Sequence, residues 1–260
     1  MDKNKTKIIH KYMAHTKTFL KIERKNIDFY FINLDRRVDR LAHVNSELKK
    51  HNIDAKKFRA YEDLSGCSIP FSSAFSEGQK KCYRSHYTLI KEYDTSSDKI
   101  LGIFEDDVIL CEDFNERFKY IEEKFNLDWD IFFLSSFYHL NNDPSRWNKG
   151  GDYELTGIKY IHRVYGSFCG HSYLINPSSI PKIVELLDAC VHRSRAIDHS
   201  FILIEPSLNC YSFTPGMANQ LTNASDTDGG IKDQNAFLKI IGPHYYSNKL
   251  SDFNYDSYFK

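Results

Sequence analysis

The sequence is short of most features that place a chain at once. Lys+Arg and Asp+Glu balance at 35 each. There is no basic excess of the kind that phosphate-neutralising proteins carry, so nucleic acid is set aside as a partner. No stretch approaches the ~18 apolar residues that span a bilayer. The first 26 residues are Lys-rich with scattered apolar side chains. They lack the apolar core of about 7–15 residues that a secretory signal needs. The six cysteines stand far apart without a CxxC pair, which argues against structural zinc and for reduced, mostly buried thiols. GxGxxG, Walker, G-x-S-x-G and HExxH patterns are missing. That removes the dinucleotide, P-loop and commonest hydrolase signatures. No internal repeat or low-complexity tract is present.

What is there reads as a globular α/β chain. Apolar residues make up 41% and charged residues 27%, close to ordinary folded usage. Aromatic content is 15%, serving core and surface, with sugar or nucleotide stacking as a second outlet. Residues 27–34 (IDFYFINL) read as a buried strand. Val38, Leu41, Val44 and Leu48 then recur at helical spacing, with Asp35 placed to cap that helix. Residues 56–63 suggest a second strand, and Tyr83, Tyr87 and Ile90 another helix. Residues 100–110 (ILGIFEDDVIL) read as one strand interrupted by acids. Phe114, Phe118, Ile121 and Phe125 follow a helical period. Residues 129–136 and 170–176 are strand-like, and Pro177 opens a helix carrying Ile180, Ile183, Val184 and Leu187. Residues 139–160 look like a surface excursion and 214–235 like a loop with site residues.

Four clusters can carry chemistry. Glu105, Asp106 and Asp107 interrupt an apolar strand. Buried acids need partners, so these should lie where the strand emerges, where carboxylates suit Mn²⁺ or Mg²⁺. Asn33 to Arg40 set acids and arginines directly after the first strand, the usual place for a nucleotide phosphate. Helix charge pairing explains that cluster equally well on composition. A third cluster, Ser76 to His86, brings polar groups to the approach of a helix, where His86 can donate to a phosphate or ribose hydroxyl. In the fourth, Asp198 stands among apolar residues as a candidate base for an acceptor hydroxyl or as a helix cap. Gln220 and the run Asn223 to Asp228 form a site segment or a turn.

These pieces, in this order, resemble glycosyltransferase family 25. That family includes bacterial lipooligosaccharide galactosyltransferases and the domains that galactosylate collagen hydroxylysine. The resemblance rests on Phe31-Ile32-Asn33-Leu34-Asp35-Arg36-Arg37-Val38-Asp39-Arg40, on Glu77-Gly78 with Cys82 and Ser85-His86, and on Ile103-Phe104-Glu105-Asp106-Asp107-Val108. Trp129-Asp130-Ile131, Ser172 to Pro177, Asp198, and Gln220 with Ser225-Asp226 continue it. Lys80-Lys81 depart from the family pattern before Cys82.

The resemblance implies a GT-A fold, a Rossmann-like α/β sandwich with a mixed central sheet, as a single domain over residues 27–242. A Lys-rich arm (1–26) precedes it and a tail (243–260) follows. It implies an inverting, metal-dependent transfer of a hexose, galactose or glucose, from a UDP-sugar to a hydroxyl on a glycan or a protein hydroxylysine. Asn33, Leu34, Arg36, Arg40, Glu77, Ser85, His86 and Asp106 are the expected donor-binding residues. Glu105, Asp107 and His244 are the expected ligands of Mn²⁺ or Mg²⁺, and Asp198, with Asp226 second, the expected base. A catalytically silent glycan- or nucleotide-binding module and a nucleotidyltransferase stay open as alternatives. The missing signal stretch and the Lys-, Asn-, Ile-, Tyr- and Phe-rich usage point to the cytoplasm of a bacterium or a virus-infected cell, with virion association left open. The arginines and the acidic triplet are expected to face each other across one cleft.

Overall fold

In the computed structural model, residues 20–136, 152–168, 170–221, 223–224, 226–227, 231–232 and 246–259 are described. Residues 1–19 of the arm, Cys169, Ser225, Asp228 and His244 lie outside them.

An eight-stranded sheet runs β2-β1-β3-β8-β5-β9-β7-β6. Its strands are β1 (Ile27–Asn33), β2 (Ala55–Arg59), β3 (Ile100–Glu105), β5 (Ile131–Phe133), β6 (Asp152–Leu155), β7 (Ile161–Tyr165), β8 (Ser172–Ile175) and β9 (Cys210–Phe213). β1 pairs parallel with β2 and β3, and β5 with β9, while β8 runs antiparallel to both β3 and β5. The sheet is therefore mixed, as expected. Because β8 reverses twice, β1, β2, β3, β5 and β9 all point the same way, and their carboxyl ends share one edge.

Alternation along each strand sorts side chains to two cores. Leu101 and Ile103 of β3, Ile131 and Phe133 of β5, and Tyr173 and Ile175 of β8 face one layer. That layer holds α2 (Glu77–Glu92), α4 (Ile180–Cys190) and α5 (Ile197–Ile204). Ile100, Phe104, Phe132 and Leu174 face the opposite layer, built from α1 (Val38–Lys50) and α3 (Phe114–Lys124). Helices on both faces explain why the central strands are apolar throughout rather than alternating. β2 is the edge strand, and its exposed Lys56, Lys57 and Arg59 guard it against further pairing.

Several expectations shift. The continuous strand 100–110 breaks after Glu105; β4 (Val108–Leu110) leaves the main sheet and pairs with β10 (Ala218–Gln220). Asp35 does not cap α1. It pairs with Lys57 and Arg59 beside β2, and the residue before the helix is Arg37. The excursion over 139–160 contains β6, whose partner is β7, and the 214–235 segment contains β10. The arm boundary also moves. Ile22 is fully buried, Leu20 carbonyl accepts the Trp129 indole N–H at 2.8 Å, and Arg24 donates to Asn115 and to the His51 carbonyl. Residues 20–26 thus belong to the fold. So do 246–259, where Phe253 and Phe259 are buried. Here α6 (Tyr255–Tyr258) brings Tyr255 hydroxyl to 2.7 Å from His162 Nε2.

Arg117 of α3 is 1% exposed. Its guanidinium donates to the carbonyls of Pro215, Gly216 and Ser247 and pairs with Asp113 at 2.8 Å. A buried charge needs such compensation. The same bonds fix the segment that leads into β10.

Glu205 is a second buried charge-capable group. It is fully buried, and its carboxyl accepts from Ser167 N–H at 2.8 Å and from Ser167 hydroxyl at 3.0 Å. Burial pushes its pKa up to about 8, against an ordinary 4.5. The folded state therefore holds this proton more tightly than the unfolded chain. The resulting stability is complete below about pH 4.5 and is lost as pH rises through about 8. Glu205→Gln keeps the shape without the ionisation. Thermal unfolding from pH 5 to 9 is expected to show a decline in the parent, on the order of 3 kcal/mol, that the variant lacks. An equal slope in both proteins would refute this.

Candidate functional site

The shared edge of carboxyl ends holds a cleft of about 270 Å³. β1 contributes Ile32 and the turn residues Leu34 and Arg36; β2 is followed by Ala60, Tyr61 and Glu62; β3 ends in Glu105 and Asp106. The inner wall is the first half of α2, with Gly78, Lys81, Cys82, Ser85 and His86; Arg40 of α1 and the segment Asp226-Thr227 complete it. Most of the residues expected to bind the donor thus meet in one place. This is where open α/β sheets bind ligands.

Asp106 is the pivot. It is 6% exposed, and its carboxylate accepts from Asn33 Nδ2 at 2.8 Å and from Arg40 Nη1 at 2.9 Å. Burial pushes its pKa up, opposed by the Asn33 hydrogen bond and the Arg40 charge. Asn33 also donates to Arg37 carbonyl at 3.2 Å and is buried, so it orders the cleft wall from behind. The expected separation of arginines from acids is therefore incomplete. Arg40 crosses to the acids because a buried carboxylate cannot be left uncompensated.

The other arginines grip Asp226. Arg36 Nη2 stands 2.6 Å from its Oδ1, Arg37 Nη1 binds Oδ2, and Arg40 Nη1 lies 3.9 Å away. Arg37 is also held by a two-point pair with Asp39. Asp226 is thus an anion seated among three guanidinium groups. With both oxygens engaged, it is not arranged to take a proton from an acceptor.

Glu105 and Asp107 form the oxygen-rich side. Gln220 Nε2 on β10 donates to Glu105 Oε2 at 2.9 Å and to Asp107 Oδ1 at 3.3 Å. Asp107 Oδ2 is 3.3 Å from Arg40. Burial, then the charge of Glu105, pushes the Asp107 carboxyl pKa upward. The fold therefore forces two carboxylates around one small donor, at a cost that a cation would relieve. Carboxylates and an amide suit Mg²⁺ or Mn²⁺, so the residues present fit the implied metal.

Supporting contacts set this geometry. β4 pairs with β10 on one side; on the other, His43 Nε2 lies 2.8 Å from Val108 carbonyl and Glu47 accepts Leu110 N–H at 2.9 Å. α1 thereby fixes the strand that fixes Gln220. α2 starts on a capping box, Ser76 with Gln79, and Ser76 hydroxyl also donates to Thr227 carbonyl at 3.1 Å. Ser85 accepts Tyr61 N–H at 3.0 Å and donates to Lys81 carbonyl, so it positions the turn after β2. Arg84 stacks 3.9 Å over the Tyr61 ring.

Not every expected residue lies in the cleft. Glu77 is exposed and pairs with Lys81 at 2.6 Å. Asp198 is half-buried in the first turn of α5, and its Oδ1 accepts His199 N–H at 2.7 Å. It does not line the cleft but stands at the same sheet edge. Glu105 N–H donates to His171 carbonyl at 2.9 Å, and a Cβ on neighbouring Gly170 would be 3.5 Å from Ile197 Cγ2. The cleft also holds residues the sequence reading did not single out. Tyr61 and Glu62 offered no signal, Lys81 stood out only as a departure from the family pattern, and Gly78 sat inside a quoted motif without a role.

Gly78 has a physical reason. A Cβ there would lie 2.6 Å from Thr227 carbonyl and 2.7 Å from Asp226 carbonyl, both backbone atoms that cannot swing aside. Gly78→Ala is expected to push the 226–227 segment off α2 and unseat Asp226 from its arginines. Hydrogen exchange should then rise at residues 226–227 while the cores keep their protection, with a stability loss of about 1–3 kcal/mol. Unchanged exchange at those residues would refute the contact.

Comparison with known proteins identifies the family. The model of glycosyltransferase family 25 (LPS biosynthesis protein) matches residues 26–200. The lipooligosaccharide biosynthesis protein lic2B of Haemophilus influenzae is 27% identical over 165 residues, covering 59% of this chain and 61% of that protein. Among solved structures, the apo form of the glycosyltransferase GlyE of Streptococcus pneumoniae TIGR4 aligns with a TM-score of 0.37 and 12% identity, over 70% of this chain and 44% of that one. A glycosyltransferase involved in glycosylation of the major capsid of PBCV-1 aligns with a TM-score of 0.39 and 7% identity, over 83% and 99%. With its family model matched across the strands and helices that build the cleft, the chain belongs to glycosyltransferase family 25.

Proposed function

We propose that the protein is an inverting, metal-dependent hexosyltransferase. It moves galactose or glucose from a UDP-sugar to a hydroxyl of a glycan acceptor. The observation that carries this reading is the meeting of Arg36 and Arg40 with Glu105 and Asp106 in one cleft at the strand carboxyl ends, with Arg37 tied to it through Asp226 and Asp107 through Arg40. The guanidinium groups already hold a carboxylate, Asp226, and planar guanidinium pairs phosphate oxygens in the same two-point manner. The donor diphosphate takes that place by displacing Asp226. The name of lic2B, a lipooligosaccharide biosynthesis protein, favours a glycan over a protein hydroxylysine.

Each residue then has a task. Arg36 and Arg37 bind the diphosphate, and Arg40, held by Asp106, keeps the acids and the phosphates in register. Glu105 and Asp107 hold Mn²⁺ or Mg²⁺, assisted by Gln220. When bound, the cation offsets the negative charge that develops on the departing UDP. His86, Ser85 and Leu34 shape the wall on which the nucleoside rests. Asp198, at the same sheet edge but outside the arginine cluster, takes the proton of the acceptor hydroxyl. The acceptor oxygen bonds to the anomeric carbon as the bond to UDP breaks, and the configuration inverts.

Incubation with UDP-galactose or UDP-glucose and Mn²⁺ is expected to release UDP, and a chelator to stop it. Asp107→Asn should lower kcat at least ~100-fold, and Asp198→Asn should lower kcat with little change in the donor KM. Product NMR should show the inverted anomer. If neither nucleotide sugar is bound or turned over and Asp107→Asn changes nothing, the reading fails.

A further inference from the structure

We infer that the inner wall of the cleft carries a second cation site of softer character. Cys82 Sγ, His86 Nε2 and Glu105 form a thiolate–imidazole–carboxylate set suited to Zn²⁺. One ligand atom from each lies within 4.8 Å of the others. Cys82 and His86 are four residues apart on α2 and so share a face, while Glu105 ends β3 opposite them.

His86 gives the site its direction. Its side chain is 1% exposed, and Tyr173 hydroxyl lies 2.8 Å from Nδ1. The Tyr173 ring stacks on the imidazole, with centroids 6.0 Å apart and planes at 22°. Tyr173 is itself fully buried, so it holds the ring from behind. Nε2 is buried without a hydrogen-bond partner, although Glu105 Oε1 is only 3.3 Å away. At that distance the two groups are misaligned for a hydrogen bond. A buried ring nitrogen left in that state is costly, and a metal bound to it removes the cost.

The donor chemistry selects the ion. Thiolate and imidazole favour Zn²⁺ over Mg²⁺ or Mn²⁺. Three protein ligands with a fourth position open to the cleft is the arrangement of reactive rather than structural zinc. Tetrahedral Zn²⁺ places its S, N and O donors about 3.3–3.7 Å apart, within reach of side-chain adjustment here. On binding, the Cys82 thiol releases its proton to solvent. With Nδ1 in contact with Tyr173 oxygen, Nε2 is the ring nitrogen that faces the metal position. Glu105 is shared with the Asp107 pair, so the two sites draw on one carboxylate.

The test uses the full-length protein after chelator treatment and dialysis. Co²⁺ is added as a spectroscopic stand-in, and Zn²⁺ affinity is measured by calorimetry. The first equivalent of Co²⁺ is expected to give a near-ultraviolet thiolate-to-metal charge-transfer band that Zn²⁺ bleaches. Cys82→Ser should abolish that band and weaken Zn²⁺ binding at least ~100-fold. Absence of the band in the parent protein, or equal Zn²⁺ affinity in Cys82→Ser, overturns the site. The readout needs no turnover. A protein that shows the band yet releases no UDP would therefore refute the hexosyltransferase reading and leave this site standing.

Discussion

A carboxylate removed from water has to be answered by the groups around it, and Asp106 is where this fold meets that demand. Its partners come from two other elements, Asn33 at the end of β1 and Arg40 one turn into α1. Satisfying one buried acid thus ties the first strand, the first helix and the turn after β3 into a single corner. The cleft is the open side of that corner. Arg40 can lie near Asp107 and Asp226 only because Asp106 holds it there. The two neighbours of Asp106 meet at Gln220 Nε2, and these are the groups proposed to carry the chemistry. The acidic triplet divides by partners: Asp106 is claimed by Asn33 and Arg40, while Glu105 and Asp107 share Gln220 Nε2.

What was legible in the sequence follows from the range of each interaction. Helices and central strands are written in local periodicity, so β1, α1, β3, α3, β5 and β8 could be placed from Ile27, Val44, Phe104, Phe118, Phe132 and Leu174 and their neighbours. The break after Glu105 was hidden because Val108 and Leu110 are as apolar as the strand before them. Their partners, Ala218 to Gln220, lie more than a hundred residues away. β6 was hidden for the opposite reason, since an edge strand with Asp152 and Glu154 carries little apolar signal. Asp35 read as a cap by local rules, but two cations on β2 claim its carboxylate. The grip on Asp226 spans about 190 residues of chain, and no local pattern encodes it. The family resemblance quoted Ser225-Asp226 but cast Asp226 as a second-choice base, not as the partner of these arginines.

The family-like motifs divide between two ends of the sheet. Asn33 to Arg40, Gly78 to His86 and Glu105 to Asp107 are at the carboxyl edge and build the cleft. Trp129-Asp130 and Asn176-Pro177 are at the other edge. There Asp130 accepts from Ser179 hydroxyl and Asn209 N–H, and Asn176 donates to Trp129 carbonyl while accepting Ser178 N–H. That knot fastens β5, β9 and the start of α4. Resemblance marks both kinds of residue alike; only geometry separates those that face a ligand from those that hold the frame.

The place of β8 has a consequence for how the chain reaches this shape. Among the described residues β3 and β5 are not partners; β8, running against both, joins them. A chain emerging from the ribosome in order completes β1, β2 and β3 by residue 105. It then needs roughly another seventy residues before Ser172–Ile175 arrive. Throughout that interval β3 presents an unpaired edge lined by Ile100, Leu101, Ile103 and Phe104, the kind of edge that recruits other chains. Late closure by one short strand makes the window between those two events the stage of synthesis at which this protein is most exposed to misassembly.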